Sequence, residues 1–142
     1  MNLSFQEKSL WVVFFGLIVA SGWYTYTISE SMVPTELAVD VMPHQVGLFI
    51  VAVVLLIIVQ IVGHVAIAVV DRRADTDERD RLIGLKGTRN GAFVLATGAF
   101  FALTAAMLTK GNFVSSHVLL GFWVLAQLTE TGSQLFFYRR GR

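Results

Sequence analysis

The sequence predicts an all-α protein, a transmembrane four-helix bundle built as two helical hairpins with N- and C-termini cytoplasmic. Three observations carry this. Hydrophobic residues make up 55% of the 142 positions and charged residues only 15%, where soluble domains carry about a quarter charged. The charges are clustered: residues 71–90 hold eleven of the twenty-one Lys, Arg, Asp and Glu residues. Two long apolar runs precede that segment and two follow it. At this length one integral membrane domain, 1–142, is expected. A net charge of +1 gives no basic surface of the nucleic-acid-binding kind, so no nucleic-acid partner is expected. The absence of cysteine excludes disulfides, thiolate metal sites and Cys nucleophiles.

Span 1 covers residues 9–28 and contains no charge, long enough for a ~30 Å hydrocarbon core at about 1.5 Å per residue. Only Lys8 supplies a basic n-region, the apolar stretch is too long, and no small-residue cleavage pattern follows, so it reads as an uncleaved anchor and not as a signal peptide. Trp11 sits near one end and Trp23, Tyr24 and Tyr26 near the other, where amphipathic rings favour the headgroup level. The loop that follows holds both prolines and the acids Glu30, Glu36 and Asp40; its 34–42 stretch predicts a short interfacial helix. Span 2 covers 45–70. Its Val and Ile content would suggest a strand in water, but an isolated strand in lipid leaves its backbone unpaired, so the run must be helical.

The charged segment 71–90 cannot enter hydrocarbon, since each charge at a bilayer centre costs several kcal/mol. It reads as an aqueous hinge. Asp75 and Glu78 have capping-box spacing, Asp77 and Arg81 are i,i+4, and Leu82, Ile83 and Leu85 form an apolar side leading to span 3. Span 3 covers 91–109 with small residues at Gly98, Ala102 and Ala106, and at Ala92 and Ala96; such stripes let helix backbones approach closely. Span 4 covers 113–138 after a tight turn. The N-terminus, hinge and C-terminus hold ten of the eleven Lys and Arg residues, which places them in the cytoplasm by the positive-inside rule. Spans 2 and 4 align without gaps at an offset of 67, bringing Gln60 onto Gln127, which suggests an internal repeat of the hairpin.

Glu130 is the sharpest chemical feature, because ionisable residues inside a span usually face a partner or a water-filled cavity. The repeat places it one residue from the depth of His64. A Glu130–His64 pair with Gln60, Gln127, Thr129 and Thr131 around it reads either as a proton or cation site or as a polar clasp fixing helix packing. His44 and His117 at the outer ends of spans 2 and 4 read either as weak haem or metal ligands or as ordinary interfacial histidines. The acids of the hinge lack the glycine and terminal Glu of a calcium loop. No nucleophile elbow, zincin, phosphate-loop or dinucleotide signature occurs, so no enzyme and no cofactor is expected.

The run DERDRLIGLKGTRNGAFVL, Asp77–Leu95, resembles the signature of a family of small prokaryotic four-helix membrane proteins of unknown function, the DUF2178-like group. The matching residues are Asp77, Glu78, Arg79, Asp80, Ile83 and Lys86, and the Gly87-to-Gly91 run departs from the pattern. The resemblance implies a multi-pass protein of a prokaryotic cytoplasmic (inner) membrane with two hairpins; it implies no activity. The leading functional expectation is a non-enzymatic auxiliary or regulatory complex subunit whose hinge residues Asp77, Glu78, Arg79, Asp80, Arg81 and Lys86 dock a partner. The alternatives are a small homodimeric proton- or cation-coupled transporter using Glu130 and His64, and a haem- or quinone-binding electron-transfer subunit using His44 and His117. Membrane lipids, a second copy or a membrane-complex subunit are the expected partners.

Overall fold

The computed structural model describes residues 4–31, 40–70 and 77–140. It contains four helices, α1 (Phe5–Ser31), α2 (Pro43–Val70), α3 (Glu78–Leu108) and α4 (Phe113–Arg140). Cross-contacts fix an up–down–up–down course. Ser9 meets His64, Thr88 meets Glu130 and Asp80 meets Tyr138 at one end. Tyr24 meets His117 and Asn112 meets Asp40 at the other.

Local chemistry sets the helix starts. Ser4 and Glu7 form a capping box in which the Ser4 N–H donates to Glu7 Oε2 (2.9 Å) and the Glu7 N–H donates to Ser4 Oγ (3.2 Å), satisfying two backbone donors that a helix start otherwise leaves orphaned. α1 therefore begins before the apolar run. Pro43 occupies the first position of α2, where its missing N–H costs nothing, and the nearly fully buried Gln45 accepts the Met42 N–H at 2.9 Å. The cap of α3 lies two residues later than the Asp75–Glu78 spacing suggested. Asp77 is the N-cap, its carboxylate accepting the Glu78 N–H at 2.7 Å, and Asp80 closes the box. Asp75 and residues 34–39 of the proposed interfacial helix lie outside the described residues.

The expected hinge is helix from Glu78 onward, continuous with span 3. This makes α3 a rod of 31 residues, about 46 Å long at 1.5 Å per residue. Hydrogen-bonded helix explains why so charged a stretch needs no separate element: its exposed charges sit on one part of the rod while Ile83, Gly87 and Gly91 are buried on another.

The helices lie in the order α2–α1–α4–α3, with α3 and α4 packed most extensively and α1 against both α2 and α4. Gly63 brings α2 against Val12, and Gly16 brings α1 against Gln60 and Val59. Tyr24, Ile28 and Ala52 form a small core with Leu48 and Leu120 packed on it. Most of α2's Val, Ile and Leu side chains are open to the surroundings. Buried residues are thus few, as expected where lipid and not a protein core takes up apolar surface. α1, α2 and α3 are each long and apolar enough to cross a membrane, which supports a multi-pass membrane protein. α4 has the length, but Glu130, Ser133, Gln134 and the terminal Arg139 and Arg140 lower its apolar content.

The turn between α3 and α4 requires its glycine. Gly111 has φ 82°, a region that a Cβ disfavours. The next residue, Asn112, ties this turn to the start of α2, its side chain accepting the Val41 N–H at 2.7 Å and its own N–H donating to Asp40 Oδ1 at 3.1 Å.

Candidate functional site

The seam between α3 and α4 is built on glycine. A Cβ at Gly91 would lie 2.9 Å from the Ala126 carbonyl oxygen and 3.0 Å from Glu130 Cβ; at Gly87 it would collide with Gln134, and at Gly98 with Phe122. Gly87 and Gly91 are four residues apart, so both face α4 one turn from each other. This is the close approach expected of small residues between membrane helices. Of the predicted stripe, Gly98 and Ala102 are buried in the seam, while Ala92, Ala96 and Ala106 are exposed. The buried stripe begins earlier than span 3, at Gly87 within the charged segment, and runs through Gly91 to Gly98 and Ala102.

Polar groups fill the charged-end half of that seam. Thr88 donates to Glu130 Oε1 at 2.8 Å and Asn90 donates to Ser133 Oγ at 3.1 Å. Thr131 is buried and donates to the Gln127 carbonyl at 2.8 Å. Higher up, Tyr138 donates to Asp80 Oδ1 at 2.8 Å, so Asp80 serves both the α3 cap and the end of α4. The Arg79 guanidinium reaches the Tyr138 carbonyl at 3.5 Å. Lys86 lies over the Phe137 ring, Arg139 over Trp11 and Arg140 over Phe136; each pair gains from the ring quadrupole.

The predicted Glu130–His64 pair does not form. Glu130 faces α3 and bonds Thr88, whereas His64 faces α1. His64 Nδ1 lies 2.7 Å from the Gln60 carbonyl and Nε2 lies 2.7 Å from Ser9 Oγ. A carbonyl only accepts, so Nδ1 carries the proton and Nε2 accepts from the serine hydroxyl. Equal depth along two helices fixes no rotation about their axes, which is why the alignment misled. Gln60 and Gln127 are likewise apart, on the α1–α2 and α4 sides, and the Gln60 side-chain oxygen is buried without a hydrogen-bond partner.

His117 repeats the geometry of His64 at the opposite end. Its Nδ1 is 2.8 Å from the Phe113 carbonyl, and its Nε2 is 3.2 Å from Tyr24 Oη. The ring also packs against the rings of Tyr24 and Phe113. Both His117 nitrogens have partners within the protein, and His44 is exposed at the start of α2. α1 is thus held by one histidine from each neighbouring helix. No spacing in the sequence signals either contact, since 55 residues separate Ser9 from His64 and 93 separate Tyr24 from His117.

A cleft of about 690 Å³ opens where the starts of α1 and α3 meet the end of α4. Phe5, Leu10 and Tyr138 supply apolar wall, Ser9 and Gln134 supply neutral polar groups, and Asp77, Glu78, Asp80 and Arg81 supply charge. Its size falls in the range of ligand- and peptide-binding depressions. Four of the six predicted docking residues therefore line one cleft, with Arg79 and Lys86 exposed on the same end of α3.

No protein-family model, curated protein or solved structure matches the chain.

Proposed function

We propose that the chain is a four-span protein of a prokaryotic cytoplasmic membrane, with both termini and the charged start of α3 on the cytoplasmic side. In this reading it works as an auxiliary or regulatory subunit that docks a partner at that end. The observation that carries the docking role is the cleft, because a rigid helical rod presents Asp77, Glu78, Asp80 and Arg81 at its rim. A helix in which charges are already ordered loses little conformational entropy on binding. Kinship with the DUF2178-like group belongs to the same proposal and rests on the residues of Asp77–Leu95.

Crossing by α4 is part of the proposal. Its polar side chains are engaged within the protein, through Thr88–Glu130, Asn90–Ser133 and the Thr131–Gln127 bond, so little polar surface is left to face lipid. The arginine distribution gives the orientation. A carrier built on coupled Glu130 and His64 has lost its central contact, and the docking reading is preferred.

The test is purification of the full chain in mild detergent from its own membranes. Triple reversal Glu78→Lys, Arg81→Glu, Lys86→Glu is expected to reduce a stoichiometric companion at least tenfold. Glu130→Gln, which keeps an oxygen for Thr88, is expected to retain it. A companion held equally by all three proteins would remove the charged end from the interface, and a wild-type protein that elutes alone would remove the docking role.

A further inference from the structure

We propose that Ser9 is an activated nucleophile, the acyl-accepting member of a Ser9–His64 dyad open to the charged-end cleft. This goes beyond docking and departs from the non-enzymatic expectation of the sequence. Three groups are linked by hydrogen bonds: the Ser9 hydroxyl, His64 Nε2 at 2.7 Å, and the Gln60 carbonyl at 2.7 Å from His64 Nδ1. The carbonyl fixes the tautomer with the free lone pair toward the serine, the arrangement a general base requires. It holds the ring as a carboxylate does in a triad, without the negative charge, so the activation is the weaker form of that design.

Position supports the chemistry. Ser9 lines the cleft while His64 stands behind it on α2. The exposed Asp77 and Glu78 on the rim give the cleft access to water. Gln134 lines the same space and carries amide N–H donors of the kind that stabilise an acyl oxyanion. Phe5 and Leu10 offer apolar wall for a hydrocarbon chain. The substrate class is therefore an acyl ester with an apolar acyl chain and a polar alcohol. Ser9 Oγ forms a bond to the ester carbonyl carbon as its proton passes to His64 Nε2. The C–O bond to the alcohol then breaks and the alkoxide takes the proton from His64. Water, deprotonated by His64, attacks the acyl carbon, the bond from that carbon to Ser9 Oγ breaks, and Ser9 Oγ takes the proton back from His64 as the carboxylic acid leaves, restoring the dyad.

The full-length protein, in detergent, would be treated with a fluorophosphonate probe, in which serine attacks phosphorus and fluoride leaves. The expected result is one adduct per chain, mapped by mass spectrometry to Ser9. Ser9→Ala should abolish it. His64→Gln keeps a hydrogen-bonding side chain toward Ser9 but supplies no base, and labelling should slow about 100-fold, the range of general-base contributions. Elution of both variants at the wild-type position would show that the helices remain assembled. Absence of an adduct on wild type, under conditions that label a control serine hydrolase, overturns the proposal. So does labelling of His64→Gln at the wild-type rate, or an adduct mapped to another residue.

Discussion

Replacing Gly98 by Leu is expected to cause one of the largest losses of stability available to a single substitution in this chain. A Cβ there would collide with Phe122, and the atoms met first are Cβ and Cγ of that side chain, which cannot swing aside as a flexible tip would. Overpacking a tight interface costs typically about 1–3 kcal/mol and more when backbone must move. α3 and α4 make the most extensive helix contact in the protein, and Phe122 is also stacked on Phe101 with centroids 5.7 Å apart. Displacing it therefore disturbs a second contact. Gly91→Leu should behave similarly, because the atoms ahead of its Cβ include a main-chain carbonyl oxygen. Gly84 provides the comparison on the same helix, since a Cβ there meets nothing within 4 Å; Gly84→Leu should stay within about 0.5 kcal/mol of wild type. Thermal unfolding followed by circular dichroism in one detergent would rank the three. Equal melting of Gly98→Leu and Gly84→Leu would mean that the helices do not approach as described.

Those glycines also show what the sequence made legible and what it hid. Helix number came from the apolar runs alone, because a membrane leaves no other way to satisfy that much backbone. The starts were harder, since capping depends on which of several acids lies at the N-cap: Asp75 and Asp77 both have an acid three residues on, and Asp77 is the one used. Gly87 and Gly91 form a small-xxx-small pair readable from sequence, but the boundary at Asn90 splits them, with Gly87 in the charged segment and Gly91 at the start of span 3. Reading helix periodicity through the charges, from Ile83 to Gly87 to Gly91 to Gly98, would have found the seam. Azimuth was the real limit. Hydropathy and repeats place Glu130 and His64 at similar depth, yet one faces Thr88 and the other Ser9, and only the packing of α4 between α1 and α3 decides that. The suggested duplication fares accordingly: α4 lies between two helices, while its aligned copy α2 packs extensively against α1 alone among the described residues.

Asp80→Ala should be the most damaging change among the charged residues, because one carboxylate serves two structures. Its Oδ2 accepts the Asp77 N–H in the capping box at 3.4 Å, and its Oδ1 accepts the Tyr138 hydroxyl at 2.8 Å. Loss of a cap costs typically about 1 kcal/mol, and a hydrogen bond to a charged group is worth about 1.5–3 kcal/mol. The long bond in the box puts its share at the low end, so the expected total is about 2–3 kcal/mol. Tyr138→Phe removes the second bond alone and should cost less, leaving the α3 cap intact. Asp77→Ala removes the bond to the Glu78 N–H and should cost about 1 kcal/mol. The informative experiment is the double-mutant cycle of Asp80→Ala with Tyr138→Phe, read from unfolding in detergent. Since Tyr138→Phe has no partner to lose once Asp80 is gone, the double variant should resemble Asp80→Ala, giving a coupling of about 1 kcal/mol or more. Additive losses would show that Asp80 acts on α3 alone. Coupling would instead establish that the start of α3 and the end of α4 are fastened to each other. That fastening holds one wall of the cleft in shape, since Asp80 and Tyr138 both line it.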